Sequence, residues 1–197
     1  MTAYATAVIR DGSSWTPTAT GGAFPLLNPK PEDVDFRDIA EGLAKACRFA
    51  GQIPTFYTVA QHSVIVAQML PIEARPYGLI HDAHEAFLCD ITTPVKAALT
   101  MLGGGPAWNA LVHGLDAAIH AAAGLQWPLP PAIAESVEHA DRVAFATERR
   151  DIHPEAPLLW EIDLPAPRAA VIKPWPWHRA LDIYTDRLRR WLPVELG

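Results

Sequence analysis

The sequence predicts an all-α fold, a helical bundle preceded by a short irregular or β-ribbon arm. Three observations carry that expectation. Apolar residues recur at helical spacing from residue 36 onward, capping and proline signals bracket the runs, and period-two alternation is nearly absent. Residues 1–35 form the arm, which is rich in Gly, Pro and Thr and has no helical period; within it, Tyr4 to Ile9 reads as a short strand. Residues 36–197 form the helical domain.

Within that domain, Ile39, Leu43 and Cys47 put one apolar stripe on a helix over about 36–49, ended by Gly51 and Pro54. Thr58 with Gln61 suggests a capping box for a helix running through Leu70. A third helix is expected over about 74–89. Thr93 and Pro94 read as the N-cap and first residue of a short helix to about Met101. Gly103-Gly104-Gly105 breaks the chain before longer helices at about 106–123 and 131–150, the second introduced by Pro130-Pro131. After an irregular stretch over 151–173, a last helix spans about 177–192. It carries Leu181, Tyr184, Leu188 and Trp191 on one face, and Arg187, Arg189 and Arg190 near the end where cations oppose the macrodipole.

Composition narrows the function. A chain of 197 residues, half of them hydrophobic, suits one domain with a full core. The net charge is −6 and Lys and Arg form no long run, so the basic footprint of a duplex nucleic-acid binder is missing. Cys47 and Cys89 make no CxxC pair, which suits a reducing compartment. The N-terminus lacks the order of a signal peptide, and no apolar stretch is long enough to span a bilayer. The expectation is a cytoplasmic protein with no membrane partner.

The chemistry concentrates in His81-Asp82-Ala83-His84-Glu85. With His81 at the origin of a helical wheel, Glu85 falls at about 40° and Asp82 at about 100°, so three polar groups share a face. Apolar neighbours flank them, Tyr77 to Ile80 and Ala86 to Leu88, and ionisable groups in such a setting need a partner or a metal. An imidazole nitrogen beside a carboxylate suits a first-row divalent ion. Two more short polar groups interrupt otherwise apolar helices: His62 and Asp141. His62, His81, Asp82 and Asp141 would make an N2O2 quartet supplied by three helices.

The stretches Arg48-Phe49-Ala50-Gly51-Gln52, Tyr57 to Ser63, His81 to Ala86 and Asp90 to Lys96 resemble the HD-superfamily phosphohydrolases. Within them the chain is most similar to the small branch of bacterial 5′-deoxynucleotidases and phage dATP triphosphohydrolases. The similarity extends back to Pro31-Glu32-Asp33 and Asp38-Ile39-Ala40, forward to Ala140-Asp141 and Glu148, and covers roughly residues 25–150. It implies an HD-domain bundle, a metal held by His62, His81, Asp82 and Asp141, and Glu85 and Asp90 completing the reacting end. It also implies nucleotide contacts from Arg48 and Phe49. Lys96 is a candidate phosphate ligand. Asp90 lies near 180° on the wheel, so it joins only if the helix ends before it, as Ile91-Thr92-Thr93-Pro94 suggests.

The expected function is hydrolysis of a deoxynucleoside 5′-phosphate or triphosphate by water activated on a divalent ion (Mn, Co, Fe, Zn or Mg), with room for a second ion. The alternative is a catalytically silent HD-fold nucleotide-binding or regulatory domain. His84 reads equally as support for the site or as plain packing. Trp160, Trp175, Trp177 and Trp191 supply more aromatic surface than a small helical domain needs, so a homo-oligomer is expected.

Overall fold

The structure is a computed structural model and describes residues 9–10, 13–155, 158, 162–194 and 196. Short antiparallel strands β1 (Ile9–Arg10), β2 (Ser13–Pro17) and β3 (Ala23–Pro25) open it in the order β1-β2-β3. The strand expected from Tyr4 lies, up to residue 8, outside the described residues. A single turn of 3-10 helix at Pro31–Asp33 leads into the helices. These are α1 (Phe36–Lys45), α2 (Val59–Met69), α3 (Arg75–Ile80), α4 (Glu85–Leu88), α5 (Thr93–Met101), α6 (Gly105–Ala122), α7 (Pro131–Asp151) and α8 (Trp177–Trp191). The all-α class is therefore what the chain adopts, with strands confined to the N-terminal arm.

The bundle is organised around α2. Every residue from Val59 to Ala67 is buried, and α1, α3, α7 and α8 pack on it. A helix apolar on all sides is stable only when surrounded in this way. His62 sits in the middle of this helix with no solvent exposure. Thr58 caps α2 by accepting from the Gln61 amide at 3.1 Å. The Gln61 side chain does not close the box. It donates to the Lys173 carbonyl at 2.9 Å and accepts from the Trp175 amide at 2.8 Å, tying the segment before α8 across the top of α2.

Two glycines set how closely the site-bearing helices approach. A Cβ on Gly78 would lie 2.3 Å from Leu70 Cδ1 and 3.3 Å from the Ala67 backbone, so a larger residue there would make the Leu70 side chain shift and crowd α2. A Cβ on Gly42 would meet the Ala86 carbonyl at 2.8 Å, which lets α4 nest on α1. The arm braces α4 from the other side, where Phe24 stacks on Phe87 with ring centroids 3.9 Å apart.

Several boundaries differ from those the sequence suggests. The first helix ends at Lys45, and Cys47, assigned to its apolar stripe, instead bridges Thr58 in antiparallel fashion. The Arg48 amide donates to the Tyr57 carbonyl at 2.9 Å and the Val59 amide to the Ala46 carbonyl at 3.1 Å, so the chain forms a short ladder. The helix expected over 74–89 divides into α3 and α4, with residues 81–84 as turns between them. Of the tryptophans, Trp175 and Trp191 pack against the core, Trp177 is 44% exposed, and Trp160 lies outside the described residues.

Candidate metal centre

His81 occupies the C-cap of α3, where its ring Nδ1 donates to the Gly78 carbonyl at 2.9 Å. A carbonyl only accepts, so Nδ1 carries the proton and Nε2 is left as a lone pair. Beyond His81 the amides of Ala83, Glu85 and Ala86 bond three residues back, to Ile80, Asp82 and Ala83. The backbone is thus tightened relative to an α-helix, and the wheel angles assigned to Asp82 and Glu85 do not hold. His81 and Asp82 still meet at 3.2 Å, and Glu85 lies close enough for the Asp82 charge to act on it.

His62 meets them from α2. Its Nδ1 lies 2.6 Å from Glu148 Oε1, and Glu148 is wholly buried on α7. Arg48 and His62 hold the Glu148 carboxyl below its ordinary value despite its burial, so it is ionised and acts as acceptor. His62 therefore also directs Nε2 into the site. The two imidazole rings stand 5.3 Å apart, and neither Nε2 has a hydrogen-bond partner although both are buried. His62 Nε2 faces Asp141 Oδ1 at 3.0 Å and Asp82 Oδ2 at 3.7 Å; His81 Nε2 faces Asp82 Oδ2 at 3.2 Å and Asp141 Oδ1 at 3.9 Å.

Lone pairs set against carboxylate oxygens repel unless a cation lies between them. A proton is one such cation. Burial and Arg48 push the His62 pKa down, but Glu148 and Asp141 outweigh them and carry it up to about 9. His81 is also shifted upward: burial opposes the shift, and Asp82 drives it. In turn the His81 charge, working against burial, holds Asp82 well below the usual carboxylate range, and against burial His62 lowers Asp141. A divalent ion is the other candidate. Ligand atoms of His62, His81 and Asp141 all lie within 4.8 Å of one another, so this group could hold a metal ion. Asp141 is 41% exposed at its side chain, against 0% for His62, so the open side of the cluster is at Asp141.

The remaining predicted residues gather around this cluster. Arg48 is buried, and its Nη1 and Nη2 lie 3.3 Å from Asp82 Oδ2 and 3.3 Å from Glu148 Oε2. Glu85 is buried, and burial, Asp82 and Asp90 together raise its pKa to about 9 while Arg48 and Lys96 act against them. At neutral pH it is protonated. The helix does end before Asp90: α4 stops at Leu88, and Cys89 takes a left-handed φ of 62°. That turn lets Asp90 Oδ2 accept from the Phe49 amide at 2.5 Å. Phe49 and Ala50 are themselves left-handed (φ 58° and 50°), an unusual conformation for residues with a Cβ, and the Asp90 contact holds it. The Phe49 ring lies 4.2 Å from the His153 ring, edge on. Lys96, in the first turns of α5, is half-buried and acts on Glu85 through its charge.

Two proteins are similar to the chain in sequence. No family model matches the chain. The uncharacterized protein YfdR of Escherichia coli K12 is 33% identical over 176 residues, which are 88% of this chain and 93% of that protein. An uncharacterized protein of Rhodobacter capsulatus is 36% identical over 149 residues, 71% of this chain and 73% of its own length. The chain belongs to the YfdR family. A match over 88% of the chain leaves out only its ends, so α2, the turn at His81 and α7 lie within it.

Sequence reasoning did not give Glu148, Tyr57 or the Gly78 carbonyl a role. Glu148 follows Asp141 on α7 by two helical turns, a spacing that places both on one face, and that signal was available. Tyr57 donates its hydroxyl to Glu148 Oε1 at 2.9 Å across a sequence gap that no local pattern reveals.

Proposed function

We propose that this protein is a metal-dependent phosphohydrolase acting on deoxynucleotides, either a 5′-deoxynucleotidase or a dNTP triphosphohydrolase. The observation that carries the reading is the pair of buried, partnerless Nε2 atoms of His62 and His81 directed at carboxylates, with a protonated Glu85 and a buried guanidinium beside them. The resemblance to HD-superfamily phosphohydrolases supplies the reaction class.

His62, His81 and Asp141 would hold the ion, with Asp82 as the fourth ligand. A divalent ion held there lowers the pKa of a bound water and polarises a phosphoryl oxygen. Glu85, whose raised pKa of about 9 lets it keep a proton at neutral pH, would donate that proton to the leaving oxygen as a general acid. Arg48 and Lys96 supply positive charge against the phosphate. Asp90 fixes the Phe49 backbone and thereby the ring that would wall off a 2′-hydroxyl. The exposed ring of Trp177 supports a second proposal, a homo-oligomer.

The test is phosphate release from all nucleoside and deoxynucleoside mono- and triphosphates with Mn2+, Co2+, Mg2+ and Zn2+, together with elemental analysis. Metal-dependent release with preference for deoxy substrates is expected. Stoichiometric metal without release from any nucleotide would instead identify a silent binding or regulatory domain.

A further inference from the structure

One buried carboxylate serves three donors at once. Glu148 has no solvent exposure. Its Oε1 takes His62 Nδ1 at 2.6 Å and the Tyr57 hydroxyl at 2.9 Å, and its Oε2 takes Arg48 Nη2 at 3.3 Å. The other nitrogen of that guanidinium, Nη1, lies 3.3 Å from Asp82 Oδ2. From one side chain, contacts therefore run to one histidine of the cluster and, through Arg48, to the aspartate on its far side.

We propose that Glu148 is a positioning residue: it fixes the His62 ring with Nε2 presented to a metal and holds the Arg48 guanidinium against Asp82. The inference rests on the reading of His62, His81 and Asp141 as a metal centre. His81 is oriented by a backbone carbonyl that no substitution can change. His62, on a helix with every neighbouring residue buried, depends on this one side chain for its tautomer. A carboxylate behind a ligating imidazole sets both the tautomer and the basicity of the ring.

Glu148→Gln isolates the effect, since it keeps shape and removes one acceptor oxygen. Three donors then face a group with one oxygen and one NH2. If the NH2 turns toward His62, the imidazole must accept through Nδ1 and carry its proton on Nε2, where the ion would bind. If it turns toward Arg48, two donors oppose each other and the guanidinium leaves Asp82. Substitution of such outer partners typically weakens metal affinity by about 10–100-fold.

The experiment titrates Mn2+ and Co2+ into the full chain as wild type, Glu148→Gln and Tyr57→Phe, with helical content followed by circular dichroism. It adds 15N spectra of histidine-labelled, Zn2+-loaded wild type. Glu148→Gln is expected to bind metal at least about tenfold more weakly, Tyr57→Phe within about threefold of wild type, and His62 to carry its proton on Nδ1. Affinity within about threefold of wild type for Glu148→Gln, or a His62 proton on Nε2, overturns the proposal. Should Glu148→Gln fail to fold, the wild-type spectrum alone decides. Metal binding with the expected Glu148 effect but no nucleotide hydrolysis would remove the proposed activity and leave this inference standing. Absence of metal binding by wild type would remove both.

Discussion

Two His–Asp groups lie in the core of this protein, and they differ in the charges set around their imidazoles. In the metal centre, both imidazoles donate Nδ1 outward, to Glu148 and to the Gly78 carbonyl, and turn Nε2 inward to face Asp82 and Asp141. In the second group, His84 Nδ1 meets Asp116 Oδ1 at 2.9 Å and His120 Nδ1 meets the Asp116 backbone carbonyl at 2.8 Å. There Asp116 accepts from both Nδ1 atoms, by its side chain and its carbonyl, while the buried Nε2 of His120 has no hydrogen-bond partner. The electrostatics differ accordingly. Carboxylates outweigh burial at His62, whereas at His120 burial wins and the ring is driven toward its neutral form. The same residue types thus make a group that could hold a cation in one place and a structural tie in the other, and the difference lies in whether carboxylates outweigh burial at the ring.

The sharpest break in this comparison is Asp82→Ala. It should abolish bound divalent metal and turnover while helical content is kept; elemental analysis after gel filtration reads the outcome, and unchanged metal stoichiometry would sink the quartet.

Glu85→Ala comes next and separates binding from chemistry. The variant should keep its metal and nucleotide affinity and lose about 10²–10⁴ in single-turnover rate, the usual loss on removing a group that transfers a proton. Loss of the metal together with the rate would make Glu85 a ligand.

The pH dependence of the metal-free protein should differ from that of the loaded one. His62 and Glu85 have folded pKa values of about 9, above their unfolded values. The stability they contribute is therefore full below those unfolded values and is lost as pH rises through about 9. Asp82, Asp141 and Glu148 are depressed, so their contribution is present above the unfolded carboxylate range and disappears only in acid. Metal-free protein should then be most stable in mild acid and lose a few kcal/mol, in order of magnitude, toward pH 9. Saturating Mn2+ should flatten that alkaline decline, because the ion replaces the His62 proton. Thermal unfolding across a buffer series measures both curves; parallel curves would contradict the assignment.

Asp116→Ala addresses the other group and should have the smallest functional effect. Leaving the His84 Nδ1 donor buried without its acceptor costs about 1–3 kcal/mol in urea unfolding, with metal content unaltered. If metal were lost as well, the two groups would be one site.

Sequence alone leaves His84 open between support for the site and packing; among the described residues its side chain meets Asp116, on α6. That kind of ambiguity marks the boundary of what the chain discloses locally. The helices were legible because a stripe of apolar residues and a cap are near neighbours: Thr58 does cap α2, and α8 does bury Tyr184 and Leu188. The turn before Asp90 was legible for the same reason, through Thr92-Thr93-Pro94, although the cap of α5 is Thr92 and not Thr93.

What sequence determined by itself is thus the all-α class, the helix-forming segments and the residue types available for a metal. Their use was decided in three dimensions. The split of the helix at His81 shows in a ring-to-carbonyl bond and in amides that bond three residues back, neither of which a 100° wheel contains. Arg48 ended between Asp82 and Glu148 because the chain leaves α1 as a ladder with Tyr57 and Thr58. The His62 tautomer depends on a carboxylate 86 residues away. Periodicity reports which face of an element is apolar, whereas a proton on one nitrogen or the other is set by a single contact at hydrogen-bond range, and only the packed helices bring that contact into existence.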